Sequence, residues 1–255
     1  MAMHGKAAIA MWWDISPGWR AEFEDWHTHE HFPERMGIPG FLRGSRWTSA
    51  RGGTGFFVLY ELDAYPTLAS PAYLERLNHP TPWSTKLMPQ HRNMIRSQCR
   101  VLESTGSGLA RYALTIRLSP RTGAQDDLRA CLRAHARTVA ALPGLSGAHL
   151  LMTDTPPVSA TTEQRIRGGR DGAADWIYIV TGYAINAVAA CDGEILNTQE
   201  FQACSERASI WSELYCLSHT LSAPEARDEP APPGARQPRL ARMTPAIAPA
   251  RRAPG

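Results

Sequence analysis

Ile38-Pro39-Gly40-Phe41 returns as Leu142-Pro143-Gly144-Leu145, an offset of 104 in a chain of 255 residues. The same offset carries His31 onto His135 and lays the apolar run 8–14 over 112–118. Three landmarks in one register mark an internal repeat, and a repeat of this period decides the fold before any single element does. Beyond the second landmark the register slips, because the second copy carries a longer connection, 153–174, whose Thr, Gly and Arg content reads as loop. Phe56-Phe57-Val58-Leu59-Tyr60 then matches Trp176-Ile177-Tyr178-Ile179-Val180.

Working outward from the first landmark, each copy reads strand, helix, strand, strand, helix, strand. Residues 8–13 alternate as the first strand, and Ser16-Pro17 is expected to open a helix that runs to about Arg35. After the Pro-Gly punctuation, 41–48 is a half-buried strand, Arg51-Gly52-Gly53-Thr54-Gly55 a hairpin turn, and 56–62 its partner strand. Ser70-Pro71 caps a second helix over 72–78; the broken stretch His79-Pro80-Thr81-Pro82-Trp83 leads on to a last strand over 94–102. The second copy ends in the matching place, at 210–218. Two βαββαβ units make an α+β chain of tandem ferredoxin-like units. Helices on one face of each antiparallel sheet leave the other face bare, so the two sheets are expected to pack face to face inside one chain, as an intrachain α/β barrel. The expected division is 1–104, 105–221 and a disordered tail, 222–255, in which eight prolines alternate with alanines and arginines. A chain that pairs its own halves is a pseudo-dimer, expected to fold as a monomer, with higher oligomers left open.

Charge excludes one broad class. From Pro224 onward six arginines face three acids, which accounts for the whole net charge of +3; the body carries 21 basic and 21 acidic residues. A neutral body has no basic face to follow a phosphate backbone, so no nucleic-acid role is expected. Five scattered cysteines without ligand spacing read as reduced core thiols, and no apolar run suits a signal peptide or a membrane span, which points to a cytoplasmic protein.

The order Trp26, His31, Pro33, Pro39-Gly40-Phe41, Arg46-Trp47, then Ser70-Pro71-Ala72-Tyr73 and Pro80-Thr81-Pro82-Trp83, resembles the dimeric α/β-barrel superfamily, and within it the EthD-like and related families. The likeness covers the first copy nearly end to end. The second keeps the outline but has Ala130 for Trp26 and Leu150-Leu151 for Arg46-Trp47. The resemblance implies small-molecule chemistry of several kinds, among them cofactor-free monooxygenation, decarboxylation, isomerisation and haem-dependent reactions, and does not choose among them.

The candidate chemistry lies in Trp26-His27-Thr28-His29-Glu30-His31-Phe32-Pro33-Glu34-Arg35. At helical spacing His27, Glu30, His31 and Glu34 share one face, and His29 points away. His27 to His31 matches the H-x-x-E-H motif of inverted zinc proteases, but that motif belongs to a larger fold and needs a further acidic ligand, so no metal is expected and zinc chemistry through His27 and His31 is a second alternative. The first reading makes His31 a general acid/base, supported by His27 and Glu30; against it, His31 could seat its helix by a hydrogen bond to a strand, which would also explain His135. Arg43 and Arg46 stand three apart on a strand and face opposite sides, so at most one reaches a pocket to hold an anionic group. Trp26, Trp47, Tyr60, Trp83 and His79 complete the candidate substrate wall. The expectation is a cofactor-free enzyme of isomerase, lyase or monooxygenase type acting on an aromatic or enol/carbonyl substrate, with a non-catalytic ligand-binding or assembly protein as the alternative.

Overall fold

Alternation in the first strand sorts the molecule into layers. In β1 (Ala7–Ile15), Ala8, Ala10 and Trp12 face one way and Ala7, Ile9, Trp13 and Ile15 the other. The computed structural model describes residues 3–53, 55–169 and 171–228. Its strands are β1, β2 (Phe41–Ser49), β3 (Gly55–Leu62), β4 (His91–Gly106), β5 (Tyr112–Leu118), β6 (Leu145–Thr153), β7 (Trp176–Gly182) and β8 (Trp211–Ser222). All pair antiparallel, in the closed order β1-β3-β2-β8-β5-β7-β6-β4. The order 4-1-3-2 in the first half is matched by 8-5-7-6 in the second.

The expected intrachain α/β barrel forms, with all eight strands in one closed ladder. The halves join edge to edge, β2 on β8 (Arg43↔Ser222 to Ser49↔Tyr215) and β4 on β6 (Cys99↔Thr153 to Gly106↔Gly147). Unpaired strand edges are costly, and the 16-residue β4 and 12-residue β8 are long enough to serve their own sheet and the neighbouring one. The inner faces still meet: Trp12, Trp47, Phe57 and Leu59 pack with Ala113, Ile177, Ile179 and Tyr215 in the barrel interior. The outer faces carry two helical layers, each with its own apolar cluster.

The repeated Pro-Gly has a steric cause. Gly40 and Gly144 both take positive φ, +92° and +87°, and a Cβ at either would stand 2.7 Å from a neighbouring side chain. The first helix starts later than Ser16-Pro17. Gly18, at φ +83°, closes a turn in which Trp19 N–H donates to Ser16 O, and Ser16 Oγ donates to Gln90 O, so α1 is Arg20–Trp26. His27–His31 follows as a single π-helical stretch, and α2 is Phe32–Met36. The second helix keeps its cap: in α3 (Pro71–Asn78) Tyr73 N–H donates to Ser70 Oγ, and α4 (Pro82–Leu87) is capped by Thr81. The second half adds α5 (Gln125–Val139), α6 (Thr162–Ile166), α7 (Ile185–Leu196) and α8 (Gln199–Cys204).

Two expectations from composition are corrected. The connection expected as loop holds α6, because Thr161 and Gln164 form a reciprocal capping box. The tail expected to lack structure from residue 222 instead continues as α9 (Ala223–Asp228), whose Ala223 is buried and whose Ala226 packs on the first-half cluster. The rest of that expected disordered tail, 229–255, lies outside the described residues. Among the described residues all five cysteines are free thiols, and no helix is long and apolar enough to cross a membrane.

Candidate active site

Pro33 shapes the site. It has no N–H to donate to His29 O, and its ring would crowd that carbonyl, so the helix cannot continue its four-residue ladder there. Instead Phe32 N–H reaches His27 O, five residues back, and the turn widens. The widened turn brings His27 and His31 ring to ring, centroids 5.3 Å apart, with Trp26 4.5 Å from His31 and Phe32 4.4 Å from His27. Both histidines are buried.

Between this turn and the outer face of β1, β3 and β4 lies a cavity of about 40 Å³, lined by Trp13, Trp26, His27, His31, Arg35, Tyr60, Tyr73, His91, Arg96, Glu163 and Arg167 with Met11, Leu77, Met88 and Met94. The space accommodates a few water molecules. One wall comes from the other half of the chain. α6 and the residues after it cross to the first unit, where Thr162 N–H donates to Asn78 Oδ1, Gly172 N–H to Met94 O and Arg96 N–H to Gly172 O. Arg35, 2% exposed, donates to the carboxylate of Glu163, 4% exposed; Arg167 lies 3.8 Å from the same carboxylate and donates to Asp171 at 2.8 Å. Burial works against the charge of Arg35, but Glu163 and Glu34 outweigh it and hold the guanidinium firmly protonated.

The imidazoles are neutral. Burial, with neighbouring Arg35, His91 and Arg167, pushes His31 well below its usual range, and burial with His31 and Arg46 does the same to His27. His31 Nδ1 stands 3.8 Å from Glu34 Oε2, too far for a hydrogen bond, and a neutral ring makes no ion pair there. Burial also takes His91 down to about 4. Its Nδ1 donates to Leu87 O and Met88 O at 3.2 and 3.1 Å, which leaves Nε2 as the lone-pair nitrogen. Five polar atoms of lining residues are buried without a hydrogen-bond partner: Trp13 Nε1, His27 Nδ1, His31 Nδ1, Arg35 Nη1 and Tyr60 Oη. Burial holds the Tyr60 phenol protonated, so it is a donor. Donors and free imidazole nitrogens converging on one cavity can take a proton from a small molecule and hold the oxyanion left behind.

Of the residues singled out in the sequence, His27, His31, Trp26 and Tyr60 meet at the cavity. The others are placed elsewhere. Glu30 accepts from Trp26 Nε1 and Thr81 Oγ1 and ties the turn to α4. Arg46, 4% exposed, bonds Glu24 O, Thr28 Oγ1 and Ser218 Oγ on the helix side without joining the cavity lining. Arg43 faces the opposite way, as their spacing required, and holds Glu61 through Nε and Nη2. Trp47 stacks on Phe57 inside the barrel, Trp83 donates to Glu22, and His79 is exposed beside Glu75. Sequence reasoning did not assign Trp13, Arg35, Arg96, Glu163 or Arg167 to the site. For Glu163 and Arg167 the available signal was the Thr161-x-x-Gln164 cap, which marks a helix inside a supposed loop. No group of three or more His, Cys, Asp or Glu among the described residues is placed to hold a metal ion.

No protein-family model matches the sequence, and no curated protein matches it. Solved structures do. An anthrone oxidase-like protein aligns over 87% of this chain and 94% of its own at 14% identity, with a TM-score of 0.62. A candidate monooxygenase of Fusobacterium nucleatum subsp. nucleatum aligns over 86% and 96% at 9% identity, TM-score 0.57. A third, from Lactobacillus acidophilus NCFM and also a candidate monooxygenase, aligns over 86% and 97% at 9% identity, TM-score 0.54. The chain shares the fold of these proteins, here a closed eight-stranded antiparallel barrel with helices outside it. At these identities the likeness is one of architecture, and the reaction has to be argued from the cavity itself.

Proposed function

We propose that the chain is a small-molecule enzyme that removes a carbon-bound proton next to a carbonyl or phenol-forming centre, using a neutral imidazole and no tightly bound cofactor. The observation that carries this reading is the convergence of unprotonated His31, His27 and His91 with the charged Arg35 and the protonated Tyr60 on one cavity. His31 takes the proton, and Arg35 and Tyr60 hold the enolate or phenolate oxygen. A histidine held far below neutral pH is a ready but weak base, and the oxyanion forming beside it, with Glu34 3.8 Å away, favours the imidazolium as the proton moves. A ring-sized substrate exceeds the cavity, so it enters when the α6 wall yields. The reading takes the first unit, 1–104, as the site and the second, 105–221, as its fused partner supplying that wall, a tandem duplication whose repeated strand order supports it. The EthD-like resemblance of the first copy and the names of the structural neighbours support a substrate that is aromatic or enolic.

Anthrone, the molecule in the first neighbour's name, is a suitable probe. With oxygen excluded, the chain is expected to speed exchange of anthrone's acidic carbon-bound hydrogens into deuterium oxide, followed by NMR, and His31→Gln or His91→Gln to slow it about 100-fold. Binding without exchange, or exchange unchanged in both folded variants, would replace this reading with the non-catalytic binding protein.

A further inference from the structure

A second cavity opens at one end of the barrel, and none of its residues lines the first. Its volume is about 270 Å³, its floor includes Ile95 and Ala174, and Arg117 and Trp211 border it. Arg117 follows Thr115 at the strand period of two, and Thr115 is an interior residue that accepts from Trp12 Nε1 at 3.2 Å. The guanidinium of Arg117 therefore sits at the barrel mouth, between Trp12 and Trp211, 5.2 and 5.4 Å from their ring centres.

With two indoles beside the guanidinium, its N–H groups are offered along its edge. Nε on that edge is buried and has no partner. The nearby acids are engaged by hydroxyls instead: Asp175 accepts from Ser119 Oγ at 2.6 Å and Glu213 from Tyr215 Oη at 2.8 Å. A half-buried cation without a hydrogen-bonded acid, beside a tryptophan left 60% exposed, has the makings of a binding site: a flat apolar platform next to a fork of unused donors. Glu213 and Tyr215 act on Arg117 through charge alone, with no hydrogen bond to its guanidinium.

We propose that this mouth binds a small planar aromatic carboxylate of one or two rings, stacked on Trp211 with its carboxylate on the edge of Arg117. A volume of 270 Å³ suits that size. The guanidinium selects a planar carboxylate because the two forks match.

Calorimetric titration of the full chain with 1-naphthoate tests it. One saturable site is expected, weakened by added salt and weakened about tenfold or more by Arg117→Gln and by Trp211→Ala. The uncharged 1-naphthol should bind more weakly, and His31→Gln should leave the affinity for 1-naphthoate as it was. If Arg117→Gln fails to melt cooperatively, Trp211→Ala, at an exposed position, decides alone. Absence of binding, affinity indifferent to both mouth variants, or a loss on His31→Gln equal to theirs would overturn the assignment.

Discussion

His31 and His135 occupy equivalent places in the two halves and live in different chemistry. His135 Nδ1 pairs with Tyr178 Oη on β7 at 2.8 Å and fastens α5 to its sheet, the seating role that the sequence also allowed for His31. His31 has no such bond; its Nδ1 is buried and unpartnered. The energetic consequence is shared by four imidazoles, His27, His31 and His149 buried and His91 half-buried, each depressed chiefly by desolvation, His91 and His149 to about 4. A histidine whose folded value lies below its unfolded value of 6.5 favours the folded state fully above pH 6.5, and this contribution is lost as pH falls toward the folded value, because the unfolded chain takes up the proton first. Melting temperature is therefore expected to fall steadily from pH 7 to pH 4.5. His149, 4% exposed and bonded to Ser104 Oγ, contributes on the order of 3 kcal/mol of that dependence at most. His149→Gln can keep the serine bond and should flatten the pH profile; a profile parallel to the parent's would show that the ring takes up its proton at the same pH in the fold as in the unfolded chain.

The π-helical stretch is where an element, rather than a residue, makes the site. Spacing alone placed His27 and His31 on one face, and that reading needed only the helical period. What spacing could not show is that Pro33 widens the turn, since a proline two residues past a histidine looks the same in sequence whether it ends, kinks or bulges a helix. Pro33→Ala restores an N–H that can reach His29 O. The ordinary ladder then competes with the bond from Phe32 N–H to His27 O and turns the two rings away from their present approach. The expected result is a melting temperature at or above the parent's with proton exchange on anthrone reduced about tenfold or more. Equal exchange in the variant would mean that the widened turn plays no part in placing the rings. The strands were legible for the opposite reason: alternation in β1 and β3 and the left-handed Gly40 and Gly144 leave local marks. The Arg35–Glu163 contact spans 128 positions and leaves none.

At the scale of the whole molecule, the repeat specified two like units, but the way they join is written in backbone edges, and edges carry no side-chain signature. Closure through β2–β8 and β4–β6 changes what a separated first half would lose. It would expose the edges of β2 and β4, bare the interior face bearing Trp12, Trp47 and Phe57, and lose the α6 wall of its own cavity. Each bare edge is a row of unpaired donors and acceptors, and the bared face is a contiguous aromatic patch. A fragment ending at Gly106 can satisfy both by pairing with a second copy of itself, β2 of one against β4 of the other, or it can aggregate. In neither case does it recover Glu163 and Arg167. Sedimentation of the fragment is therefore expected to show dimers or larger species, and its Arg35, without Glu163, should no longer support exchange on anthrone. A soluble, cooperatively melting, strictly monomeric fragment would mean that the first sheet needs no partner edge, and the closed eight-stranded barrel would have to be given up as the reason the halves are fused.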